Sequence, residues 1–261
     1  MIFQADQYVI GKNPHIPCAD AALSSAGPVP FTVVADGCSA SPESHAGAQI
    51  LASAARRELS KNGALEVEQF AGAVLRRAVR AARALSLPVT ALDATLIAAA
   101  VRGDGVTVLA FGDGVIAARR REDGETETIR LNYDSGAPFY LAYRRNSSRR
   151  ERYRQEFPGK LRIFGDGEEI QALAATTPAT FHFPISGYDR LLIASDGLGA
   201  LSGPDGPLPV AETVEKLTAF KTTAGAFLQR RARRALTEWK GAGISAADDL
   251  GMAALLWEEE S

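Results

Sequence analysis

Seven aspartates in this chain are followed directly by glycine: Asp36, Asp104, Asp113, Asp123, Asp166, Asp196 and Asp205. Asp-Gly is a strong turn signal, so turns account for most of them. Asp36-Gly37 and Asp196-Gly197 differ. Each ends an apolar run, "FTVVADG" (31–37) and "RLLIASDG" (190–197), and no matching strand follows. Each leads instead toward small residues ahead of a helix. A strand end holds a side chain rigidly. Asp20 in "CADAAL" and the pair Asp248-Asp249, just before the last apolar run, add further carboxylates. Carboxylates converging at strand ends suit a hard cation such as Mg²⁺, Mn²⁺ or Ca²⁺. Three histidines (His15, His45, His182) and two cysteines (Cys18, Cys38) leave little material for zinc.

Several elements must position those residues. "PESHAGAQILASAARRELSKN" (42–62) reads as a helix with Ser41 as N-cap and Pro42 at its first position. "EVEQFAGAVLRRAVRAARAL" (66–85) places Val67, Phe70, Val74, Ala78, Ala81 and Leu85 on one face, and Pro88 closes it. Four short runs follow at 94–101, 106–112, 115–121 and 125–131, with Asp104-Gly105, Asp113-Gly114 and Asp123-Gly124 in the joints. Such short joints predict a four-stranded antiparallel meander, the last run an edge strand. Residues 132–189 read as irregular. Strands are expected at 190–197 and 251–257, and helices at 211–220 and 225–240. Hairpin joints mixed with helices indicate an α+β fold rather than a doubly wound parallel sheet. No linker or repeat divides the chain, so residues 1–261 read as one domain with an irregular insert.

Composition narrows the classes. Of 261 residues 46% are hydrophobic, ample for a core, and the net charge of −2 argues against bulk binding to nucleic acid or membrane. No apolar run reaches the ~18 residues of a membrane span. The opening "MIFQADQYVIG" has an early Asp and no leader-like apolar region, and two cysteines make no disulfide framework, so the expected setting is a reducing cytoplasm. Both cysteines read as small buried residues. "RRNSSRRERYR" (144–154) reads as a solvated basic face, with recognition of phosphate or an acidic substrate as the alternative. "GDGVIA" (112–117) matches a dinucleotide fingerprint, but that motif requires a helix after the glycines, and here a strand returns.

Taken in order, Asp20, "FTVVADG", "LDAT", "VLAFGDG", "RLLIASDG" and "AADDLGMAALL" resemble the metal-dependent, type 2C Ser/Thr protein phosphatases, in particular their compact bacterial branch. The resemblance spans about residues 10 to 257. It implies a four-layer α-β-β-α sandwich: two antiparallel sheets flanked by helix pairs, with a two-metal site at one edge. It implies two Mn²⁺ or Mg²⁺ ions and a weaker third. On it, Asp36 bridges the metals and the Gly37 carbonyl binds one of them. Asp196 and Asp248 ligate the other, Asp20 orients a metal-bound water, and Asp113 lies near the third metal. Asp20, Asp36 and Asp196 thereby become the catalytic set, and Thr95 reads as structural.

Two departures matter. Where classical members carry a phosphate-gripping Arg, five residues before the Asp20 position, this chain has His15. His15, as imidazolium, and Lys12 are the phosphate-binding candidates. The residue before Asp20, often acidic in the family, is Ala19. One metal then loses a ligand or keeps a water, and weaker affinity or a Mn²⁺ preference is expected. The resemblance implies hydrolysis of phosphoserine and phosphothreonine in proteins by a metal-bridging water, opposing a Ser/Thr kinase. The alternative is a catalytically weak phosphatase-like domain that binds phosphoproteins or regulates. A phosphatase for small metabolites is a third reading.

Overall fold

The apolar runs become strands in three sheets, described over residues 1–61 and 65–258 of a computed structural model. In chain order the first elements are β1 (Ile2–Ile10), β2 (Asp20–Ser25), β3 (Phe31–Asp36), α1 (Ser44–Leu59) and α2 (Val67–Ala84). Next come β4 (Leu96–Arg102), β5 (Gly105–Phe111), β6 (Gly114–Arg120), β7 (Thr126–Tyr133) and α3 (Ser147–Glu156). They are followed by β8 (Lys160–Gly165), β9 (Glu168–Ala174), β10 (Ala179–Pro184) and β11 (Tyr188–Ala194). The chain continues through β12 (Leu201–Gly203), β13 (Gly206–Pro207), α4 (Val210–Thr218), α5 (Phe227–Gly241), β14 (Ser245–Ala246) and β15 (Leu250–Glu258).

One sheet has the order β1-β15-β11-β6-β7-β8-β9, and the facing sheet has β10-β5-β4-β3-β2. The pairings within both are antiparallel. Strand alternation divides the core into three layers of side chains. Along β3 and β4, Val33, Ala35, Leu96 and Ala98 pack with α1 and α2, whereas Val34, Ile97 and Ala99 point between the sheets. Along β15, Ala253, Leu255 and Trp257 fill the space between sheets, whereas Met252, Ala254 and Leu256 pack with α4 and α5. Both faces of the central strands are therefore covered, which is why their sequences are apolar throughout. The expected four-layer α-β-β-α sandwich is the observed fold.

Five expectations change. The four-stranded meander does not form: β4 pairs with β5 and β6 with β7, but β5 and β6 lie in opposite sheets. Asp113-Gly114 is the crossing between sheets, made possible by Gly112 and Gly114 at φ of 115° and 138°. Strand β7 is interior, between β6 and β8, and β9 is the exposed edge. The segment 132–189 is ordered, containing α3, β8, β9 and β10; polar α3 and the exposed β9 carry no apolar periodicity to betray them. Helix α1 starts at Ser44 after Glu43 in the left-handed region, so Ser41 is not its cap. The last residue assigned to that helix, position 62, lies outside the described residues. Helix α2 ends at Ala84, where Ser86 at φ 57° lets the Leu87 N–H reach the Ala82 carbonyl (2.9 Å), so Leu85 falls off the buried face. Among the described residues no helix is long and apolar enough to cross a membrane.

Candidate active site

The antiparallel register of β2 and β3 sets Asp20 opposite Asp36 in one sheet, and β11 of the facing sheet ends just before Asp196. Asp20 is buried, with 3% of its surface exposed. Its Oδ2 accepts a 2.6 Å hydrogen bond from the Ser195 hydroxyl, whose oxygen in turn accepts the Gly251 N–H (3.0 Å). Oδ1 of Asp20 is buried and has no protein partner. The Asp36 carboxyl lies within hydrogen-bond reach of both Asp20 and Asp196. Thr95 fixes its backbone: the hydroxyl accepts the Asp36 N–H (3.2 Å), and the Thr95 N–H donates to the Asp36 carbonyl (2.8 Å). The structural reading of Thr95 thus has a specific content.

The two Asp-Gly exits are crowded. A β-carbon on Gly37 would stand 2.7 Å from the Ser44 carbonyl oxygen and 2.9 Å from that of Ala19. One on Gly197 would collide with the Asp249 carbonyl. Glycine at these positions therefore allows backbone segments to meet beside the carboxylates, a demand beyond turn formation.

Residues 11–19 form a loop along the rim. Asp249 is buried and accepts the backbone N–H of Lys12 through Oδ1 and that of Ala19 through Oδ2, both at 2.7 Å. The Lys12 ammonium lies 2.7 Å from Asp248 Oδ1. His15 is exposed on this loop, and its backbone N–H donates to Asn13 Oδ1 (2.9 Å). Its ring makes no hydrogen bond or ion pair with the other described residues. Asp113 sits half-buried at the crossing between sheets.

The electrostatics follow from that crowding. Burial, then the negative charges of Asp20, Asp196 and Asp113, pushes the Asp36 carboxyl far above the ordinary carboxylate range. Burial raises Asp113 to about 7, with the Asp196 charge adding to it. Burial raises Asp20 to about 6, partly opposed by the Ser195 hydrogen bond. Asp196 is raised by desolvation and by the charge of Asp248. The hydrogen bond to Asp248 raises Lys12. Among the described residues the one cation acting on the cluster is Lys12, paired with Asp248 and reaching Asp36 only through its field, and Asp20, Asp36 and Asp196 have no ion pair of their own.

Among the described residues no three His, Cys, Asp or Glu side chains close on a point as a finished cation cage. The donor chemistry nevertheless fits hard divalent cations: oxygen ligands, mutual repulsion and an orphaned Asp20 Oδ1. Of the sequence-predicted residues, Asp20, Asp36 and Asp196 meet directly, Asp113 and Asp248 join them electrostatically, and Lys12 reaches Asp248. His15 is not drawn in. Sequence reasoning missed Ser195 and the clamp made by Asp249. A small polar residue beside Asp196 carries no signal of a partner 175 positions away.

Two facing antiparallel sheets between helix pairs, with aspartates gathered at adjoining strand ends, define a phosphatase-type sandwich. A profile described as protein phosphatase 2C matches residues 13–239, and the chain belongs to that family. No curated protein matches the sequence. Among solved structures, the fold is similar to the serine/threonine phosphatase PstP of Mycobacterium tuberculosis, 17% identical over 99% of this chain and 100% of that one, at a TM-score of 0.58. It is also similar to Stp1 of Staphylococcus aureus (14%, 99% and 96%, TM-score 0.58) and to the S. agalactiae serine/threonine phosphatase (17%, 98% and 100%, TM-score 0.54).

Proposed function

We propose that this chain hydrolyses phosphoserine and phosphothreonine in proteins, reversing the work of a Ser/Thr kinase, with two Mn²⁺ or Mg²⁺ ions and a weaker third. The observation that carries the reading is the carboxylate cluster of Asp20, Asp36 and Asp196, without an ion pair among the described residues, spanning the two sheets of a protein phosphatase 2C chain. Asp36, the Gly37 carbonyl, Asp196 and Asp248 would hold the two ions, with Asp113 beside the third. Bound there, the ions would supply a water of lowered pKa as nucleophile and neutralise the phosphoryl oxygens. The chain's own part is positional. Asp20 Oδ2 is committed to Ser195, which leaves Oδ1 to accept a hydrogen bond from the attacking water and orient it. The rim loop, clamped by Asp249, carries Lys12 and His15, which would meet an incoming phosphate from that side. The two free cysteines fit a reducing cytoplasm.

One contact favours the second reading, a weak enzyme that binds phosphoproteins. Lys12 pairs with Asp248 beside Ala19, and a lysine there competes with a cation. Hydrolysis of p-nitrophenyl phosphate and a phosphothreonine peptide, with Mn²⁺ and with chelator, decides between them. The proposed enzyme turns over only with metal. Asp36→Asn and Asp196→Asn lose on the order of a hundred- to a thousandfold in kcat, as when preorganised charge stabilisation is removed. Wild-type protein inactive at every metal concentration would leave the binding reading standing.

A further inference from the structure

The arginine-rich segment does not belong to the carboxylate site, and only part of it is a solvated face. It folds as a short 3-10 turn over residues 141–145 followed by α3, and it stands against α2. Between them lies a groove of about 470 Å³ whose lining includes Arg76 of α2 together with Arg144, Arg145, Arg150 and Arg154. The one carboxylate in that lining, Glu68, is already paired with Arg144. Arg154 has a long contact with Glu151 along its own helix, 3.6 Å. Arg76, Arg145 and Arg150 have no acidic partner among the described residues. Helix α3 divides its arginines by face. Arg149 turns inward, 2.5 Å from buried Asp93 and 4.4 Å above the Tyr143 ring, and so anchors the helix. Arg150 and Arg154, four residues apart, line the groove.

The groove is joined to the catalytic end. The Arg144 guanidinium lies 5.9 Å over Phe111, which immediately precedes Gly112-Asp113. Asp93, the partner of Arg149, precedes Ala94, which bridges to Gly37. Guanidinium forks match carboxylate and phosphate oxygens two at a time. A volume in the small-ligand range (roughly 300–1,000 Å³) suits a few side chains rather than a duplex. The chain's net charge of −2 also disfavours nucleic acid.

We propose that this groove binds an acidic peptide segment, its charge carried by carboxylates or by a further phosphate, that lies near the phosphoresidue of the protein substrate. The proposal rests on the phosphatase reading for its substrate. The uncompensated guanidiniums repel one another, and an acidic segment relieves that repulsion. Its ion pairs form outside the reacting centre, so the gain falls on KM more than on kcat.

The test compares phosphothreonine peptides with alanine flanks, with glutamate flanks and with a second phosphoserine, in Mn²⁺. Wild type is expected to favour both acidic peptides by about tenfold in kcat/KM, mainly through KM, and 0.5 M salt should erase the preference. Arg150→Glu with Arg154→Glu should remove it while p-nitrophenyl phosphate hydrolysis stays unchanged. Equal kcat/KM on all three peptides, or a preference that survives the charge reversal, overturns the proposal. Binding is measured separately by fluorescence anisotropy on the Asp36→Asn variant. A glutamate-rich phosphopeptide should bind more tightly than a single-stranded oligonucleotide of equal charge, and the reverse order overturns the proposal in favour of nucleic acid. Loss of p-nitrophenyl phosphate hydrolysis in wild type would instead defeat the phosphatase reading, and the anisotropy would still judge the groove.

Discussion

Asp20 and Asp36 face each other because strand register brings them together, but they become a site because other side chains fix them. Ser195 is the clearest case. It donates to Asp20 Oδ2 and accepts the Gly251 N–H, so one hydroxyl ties β2 to β15 beneath the carboxylates. Ser195→Ala removes both bonds, so Asp20 loses its one hydroxyl donor while Oδ1 stays unpartnered. Stability should fall by about 1–3 kcal/mol. Metal-dependent kcat should fall about 10–100-fold, as for lost partners of a ligand set. Thermal melting and steady-state kinetics in Mn²⁺ check the two effects, and unchanged kcat would show that Asp20 orients nothing. That Asp36 and Asp196 stand at strand ends was legible in the sequence, because a strand that ends on Asp-Gly with no return strand is unusual. Ser195 was not, since its function depends entirely on a residue far away in the chain. His15, singled out by its position before Asp20, is left on the exposed rim.

At the level of elements, the 11–19 loop depends on Asp249. Two backbone N–H groups end on its two oxygens. Hydrogen bonds to a charged group contribute about 1.5–3 kcal/mol each. Asp249→Ala should therefore lower the melting temperature clearly and raise KM for phosphopeptides, as the rim carrying Lys12 loosens. Asp249→Asn keeps one acceptor oxygen and should fall between. Equal KM in all three proteins would show that the rim does not touch substrate. Helix positions were legible from periodicity to within a few residues, as α2, α4 and α5 show. The meander was not. A two-residue joint looks the same whether the next strand pairs alongside or crosses to the facing sheet. The crossing at Gly112–Gly114 is decided by where the second face of β6 finds its cover, against α4 and α5.

Across the whole molecule, the carboxylate cluster links stability to pH and to metal. In the unfolded chain these groups titrate near the usual ~3.9. In the metal-free fold Asp20 lies at about 6 and Asp113 at about 7, with Asp36 raised further. The folded state thus holds protons that the unfolded state releases. The resulting stability is full below pH ~4 and is lost as pH rises through these values. Metal-free protein should melt at lower temperature at pH 7.5 than at pH 5. Divalent cation at about a hundred times its dissociation constant should raise the melting temperature at pH 7.5 by roughly 5–10 °C. The increment should shrink at pH 5, where protons compete. Calorimetry with Mn²⁺ and with chelator reads both trends, and a metal increment independent of pH would contradict the linkage.

The sequence by itself determined the α+β class, the helix pairs, the apolar central strands and the aspartates that end them. These are local matters of periodicity, turn chemistry and residue type, written within a few positions of each other. Tertiary structure alone decided which sheet each strand joins, that 132–189 is ordered, that Ser195 and Asp249 support the site, and that five arginines share one groove. Those outcomes depend on burying both faces of two sheets at once and on pairing charges across the chain. No short stretch of sequence contains that information.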